Sequence, residues 1–186
     1  TYRPWQLWQN SEDALIARDI IWSLRLPRSI AACSVGALLA VAGALQQILL
    51  RNPLADPYIL GTSGGASVGA LLAMLLGTST AMINGSAALG AGVAIVLVFV
   101  LAGRDRSINQ VSLLLTGVAI SAFCGAFSAL LLSLAPDGLL RGMMFWMLGD
   151  LSGAAWPLAL GGVLLLLLLL VPLLRDLNIL ALGGQS

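Results

Sequence analysis

The chain has 186 residues, of which 59% are hydrophobic and only 9% charged, with a formal net charge of +1. A soluble domain is usually about a quarter charged, so this composition excludes an ordinary one. It also excludes a basic nucleic-acid surface, because there is no Lys and the nine Lys+Arg residues are all scattered arginines.

The charges leave 29–50, 57–103, 107–136 and 151–174 empty. Charge-free apolar runs of about 18 residues or more read as transmembrane helices. The prediction is an all-α, polytopic helical bundle in a lipid bilayer, with five spans. Residues 1–28 precede the first span, which covers 29–50. The second, 61–76, is short for a hydrocarbon core of about 30 Å, and it follows a polar break, "RNPLADPYIL". The third covers 81–102 and the fourth 111–135. "PDGLLRGMMFWML" in 136–154 carries Arg141 and is too brief to span, so an interfacial helix is expected there. The fifth span, 155–174, opens on Trp156-Pro157, where Pro suits a first helical turn. Thr1 in place of Met, and an end at "ALGGQS", lead us to expect a piece of a longer protein.

Five crossings put residues 1–28, 77–81 and 136–154 on one side, and 51–60, 103–110 and 175–186 on the other. All five tryptophans fall on the first side, whereas arginines divide five against four. The excess of positive charge that marks cytoplasmic loops therefore does not orient the chain.

Small residues recur every four positions as Ala32/Gly36/Ala40, Gly61/Gly65/Gly69 and Gly117/Ser121/Gly125/Ala129. Such stripes let helix backbones approach closely in lipid. The other reading is a path lined by the hydroxyls of Ser63, Ser67, Thr116, Ser121 and Ser128. Cys33 and Cys124 lie within apolar spans and are expected to be buried thiols, with no metal-binding pattern.

Gly65-Ala66-Ser67-Val68-Gly69 spells G-x-S-x-G, which carries a nucleophilic serine in many hydrolases. That serine needs a base. The chain has no His and no Lys, and its carboxylates fall near predicted membrane edges. No catalytic, metal or cofactor site is assigned. A hinge explains the region better. Asn52-Pro53 and Asp56-Pro57 break the helix twice, since a residue before Pro is pushed out of the α region. Ser63 is positioned to cap the helix that follows.

The segments "LRLPR" (24–28), "GALLAVAGALQQ" (36–47), "RNPLADPYILGTSGGA" (51–66), "LLLTGVAI" (113–120), "WMLGDLSG" (146–153) and "LNILALGGQS" (177–186) resemble the FecCD family of membrane permeases. These are inner-membrane subunits of binding-protein-dependent ABC importers for ferric siderophores, haem and cobalamin. The resemblance implies a ten-helix permease, of which this chain holds about the second to sixth helices. It implies a bacterial inner-membrane location, with 1–28 periplasmic and 175–186 at the start of a cytoplasmic coupling loop. The implied partners are two ABC ATPase subunits, a periplasmic substrate-binding protein and a second permease subunit, identical or paired. Arg25 and Arg28 would dock the binding protein. Asn109, Gln110 and Val111 would lie near the cytoplasmic gate, and Leu180, Leu182 and Gly183 would contact the ATPase. No chemistry would fall on the substrate, and the ATPase activity would reside in the partner. Alternatives are a non-transporting membrane assembly fragment, or an intramembrane hydrolase with its base elsewhere.

Overall fold

The computed structural model describes residues 12–173 except 54, 57, 59, 104–109 and 152–155. Every described element is helical. In chain order they are α1 (Glu12–Asp19), a π-helical turn (Ile20–Arg25), α2 (Leu26–Leu50), α3 (Thr62–Leu75), α4 (Thr80–Ala102), α5 (Gln110–Ser133), α6 (Asp137–Leu148), α7 (Trp156–Leu170) and a 3₁₀ turn (Val171–Leu173).

Among the described residues, three helical runs are long and apolar enough to cross a membrane: Leu15–Leu50, Thr80–Ala102 and Gln110–Ser133. The 14 residues of α3 and 15 of α7 reach only about 21–23 Å at 1.5 Å per residue. The helix at the expected second span is thus short. A helix that stops inside the bilayer needs protein around its ends, because lipid cannot satisfy an exposed loop backbone.

Contacts divide the chain into two units, 1–41 with 150–186, and 42–149. In the first, the helix does not break at Pro27. A proline in a helix would press its ring on the carbonyl four residues back. Here the preceding turn is π-helical, and the Leu26 N–H donates to the Ile21 carbonyl five residues back. The looser turn lets the helix continue through the proline. Ala17, Ala31 and Ser34 are buried. A Cβ built on Gly162 of α7 would stand 3.7 Å from Leu38 Cδ1 of α2, an ordinary contact.

In the second unit α3 is the centre, packed against α4 and α5. Its seam with α4 is made of backbone. A Cβ on Gly65 would overlap the Gly90 carbonyl oxygen, one on Gly90 the Gly65 carbonyl oxygen, and one on Gly69 the Ser86 carbonyl oxygen. Against α5 the approach is also close. A Cβ on Gly64 would lie 2.8 Å from Cys124 Cβ, and one on Gly61 3.0 Å from Ile120 Cγ2. Apolar clusters hold α3 at both ends. Leu50, Ala55 and Leu60 pack with Val98, Ala102 and Leu113 around its start. Leu71 packs with Leu131 of α5 and Met143 of α6 near its finish. A Schellman motif closes the finish, with Thr78 N–H donating to the Ala73 carbonyl and Gly77 N–H to the Met74 carbonyl. Gly77 supplies the left-handed residue, at φ 65°.

Three sequence expectations change. Ser63 does not cap α3: the helix starts at Thr62 after Gly61, whose φ is 75°, so Ser63 is already inside the first turn. Cys33 is exposed, whereas Cys124 is buried. An apolar window fixes a cysteine's solvent but not whether lipid or protein surrounds it. The stripe on α5 does not follow its packed face, which runs through Leu113, Gly117, Cys124, Ser128 and Leu131. Gly125 and Ala129 are exposed, as are Ala32, Gly36 and Ala40 of α2.

Candidate functional site: the polar turn, Arg25 and Arg28

The polar turn between α2 and α3 is built by backbone hydrogen bonds. Helix α2 closes with the same geometry as α3, Asn52 N–H donating to the Gln47 carbonyl (3.1 Å) and Arg51 N–H to the Ile48 carbonyl (3.3 Å). The left-handed position falls on Arg51, φ 45°, where glycine is the usual occupant. A cation at a helix C-terminus is favourable, which offsets part of the backbone cost. Ala55 N–H then donates to the Asn52 carbonyl at 3.0 Å. The Asp56 carboxylate accepts from Tyr58 N–H at 2.8 Å, an Asx turn. Gly61 N–H donates to the Tyr58 carbonyl at 3.0 Å.

Of the four hinge residues, Asn52, Pro53 and Asp56 fall in this turn between the helices, while Pro57 lies outside the described residues. Asp56 thus has a local structural use the sequence reading did not give it. The signal was available, since Asp two residues before a backbone N–H commonly makes such a turn.

Ser67 lies in the interior of α3, within a continuous helix from Thr62 to Leu75, where the strand-to-helix elbow of a hydrolase has no counterpart. The five hydroxyls proposed for a polar path are absent from the lining of the groove beside α3. This groove, of about 530 Å³, runs beside α3 and α4, walled by Leu72, Met82, Leu89, Val93, Leu97 and Phe123 among others. Ser63 is exposed, and Ser128 is buried with no hydrogen-bond partner for its hydroxyl among the described residues. The groove is an apolar seam wall, and the polar path is not found there.

Gln110 and Val111 are the first residues of α5 and are exposed; Asn109 lies outside the described residues. So do Leu180, Leu182 and Gly183. Arg25 closes the π-turn and Arg28 sits in the first turn of α2, both exposed. They differ in one respect. Arg28 Nη2 stands 3.5 Å from Asp150 Oδ1, with the two side chains 55% and 60% exposed. Arg25 has no ion pair among the described residues. Asp150 lies in the "WMLGDLSG" segment, and sequence separation hides its partner 122 positions away (150 − 28).

A short α3 wrapped by α4 and α5, beside long apolar helices, defines a multi-pass helical membrane domain of the permease type. The description of the FecCD transport family matches residues 1–186. The chain belongs to that family. It is 40% identical over 179 residues to the uncharacterized ABC transporter permease protein YvrB of Bacillus subtilis (strain 168), covering 90% of this chain and 50% of that one. It is 38% identical over 177 residues to the vitamin B12 import system permease protein BtuC of Escherichia coli O127:H6 (strain E2348/69 / EPEC), covering 89% and 52%. A solved structure of a metal-chelate type ABC transporter in an inward-facing conformation superposes with a TM-score of 0.78 at 30% identity, covering 92% of this chain and 56% of that one. The chain spans about half the length of the curated relatives it matches.

Proposed function

We propose that the full-length protein is the permease subunit of a binding-protein-dependent ABC importer, and that it passes a metal chelate of the siderophore, haem or cobalamin class across a bacterial inner membrane. The observation that supports this most is the family match over the whole chain joined to a fold shared with a metal-chelate transporter. The substrate class draws on that transporter and on the vitamin B12 relative.

In this reading the permease does no chemistry. ATP binding and hydrolysis in partner subunits bias the helices between two arrangements, which requires the nucleotide to favour one through differential contacts. The rigid α3 seam and its polar turn would move as one piece, and Leu180, Leu182 and Gly183 would couple to the ATPase. Arg25 and Arg28 would receive carboxylates of the binding protein. A guanidinium offers a planar fork to a carboxylate in a charge-assisted, bidentate pair, and rim pairs of this kind act largely on association rate.

The test is uptake by the full-length permease, reconstituted with its ATPase and binding protein, against ferric siderophores, haem and cobalamin. Transport of one class with ATP, and none without, supports the reading; ATP-independent leak or no uptake of any class refutes it. For docking, Arg25→Glu with Arg28→Glu should slow capture of the binding protein in nanodiscs by about tenfold or more at low salt. ATPase assembly should be unaffected. Unchanged capture at low salt would leave headgroup anchoring as the role of both arginines.

A further inference from the structure

Arg28 is already engaged by a carboxylate of its own chain. Asp150 follows the outer helix α6 in sequence and meets Arg28 at 3.5 Å in a pair more than half exposed on both sides. We propose that Asp150 is an internal counter-charge that Arg28 must give up when a partner carboxylate docks, and so sets the rate and the charge selectivity of binding-protein capture. The inference rests on the docking reading of Arg28.

The geometry decides the sign. An exposed pair is worth little, about 0–1 kcal/mol, so Asp150 does not block a bidentate competitor. It meets Arg28 through Nη2 at 3.5 Å, while the guanidinium carries five N–H donors in a fork. The gain in order that Asp150 gives Arg28 is therefore small. Its negative charge, however, lies within the screening length of about 8 Å at physiological salt. There it subtracts directly from the field that an acidic partner meets on approach. Arg25 has no ion pair among the described residues, so Asp150 makes the two arginines unequal. Asp150 is a positioning residue, acting through Arg28.

The experiment measures association of the cognate binding protein with full-length permease in nanodiscs at two salt concentrations. Asp150→Asn should raise the association rate about two- to fivefold at low salt, the factor that about 0.5–1 kcal/mol represents. The gain should shrink at high salt and should be lost when Arg28→Ala is added. Asp150→Glu, which keeps the charge, should bind as wild type and controls for folding, together with unchanged ATPase assembly. If Arg28→Glu slows capture but Asp150→Asn does not speed it, Asp150 is no counter-charge and the inference falls while docking stands. If Arg28→Glu has no effect either, the docking reading falls and takes the inference with it. A gain that persists in the Arg28→Ala background also overturns it, because Asp150 would then act without Arg28.

Discussion

Helices α3 and α5 carry the same spelling of small residues every four positions, and only one of them uses it along its length. Gly61 just before α3, and Gly65 and Gly69 on it, all face a neighbour so closely that a Cβ would crowd or overlap it. On α5, Gly117 is buried but a Cβ on Gly125 would meet nothing within 4 Å. Small-xxx-small spacing permits close approach; it does not supply the partner. The partner of α3 is Ser86 and Gly90 on α4, a four-residue spacing that only becomes meaningful once the two backbones are seen in register.

The sharpest way to break this comparison is to fill the seam. Gly65→Ala, Gly69→Ala or Gly90→Ala should each destabilise the full-length permease by about 1–3 kcal/mol or more, because backbone carbonyls cannot step aside as a side chain can. Thermal unfolding in detergent, read by fluorescence-detected size exclusion, measures it. An Ala at Gly65 that leaves the melting point unchanged would show that the seam is looser than described.

The turn that delivers α3 to the seam gives the next effect. Pro53→Ala with Pro57→Ala should reduce assembly or uptake of the full-length permease more than Ser67→Ala, since prolines preset the chain between two helices. Loss of activity in Ser67→Ala with a normal double-proline variant would reverse the reading of this region. Within the same turn, Asp56→Ala removes the acceptor of the Tyr58 N–H and should cost about 0.5–1.5 kcal/mol, the usual net worth of one hydrogen bond, seen as a modest drop in melting temperature. The smallest effect belongs to the other side of the comparison. Gly125→Ala adds a methyl to open space and should stay within about 0.5 kcal/mol of wild type. A large loss there would mean that a part of the protein beyond this chain covers that face of α5.

Much of the architecture was legible because lipid is an unforgiving solvent. Charge-free windows had to become helices, and they did, with ends within a few residues of those expected for α4 and α5. The break at 51–60 was legible from Asn52-Pro53 for the same reason that prolines restrict their neighbours. Which small residues touch was not legible, because lipid and protein are equally apolar and hydropathy cannot tell a buried face from a lipid face. That is why Cys33 and Cys124 read alike and differ in the fold. The continuous helix through Pro27 was hidden too, since it depends on a π-turn that no residue spells.

The sequence by itself determined the solvent, the order of the apolar helices from α2 onward and, through its motifs, the family, because composition and local backbone chemistry act over a few residues at a time; the short α1 ahead of them was not read from it. Tertiary structure alone decided the α3–α4 seam, the exposed face of α5 and the pairing of Arg28 with Asp150. Each of these joins residues far apart in the chain, and their contact depends on how the helices are brought together.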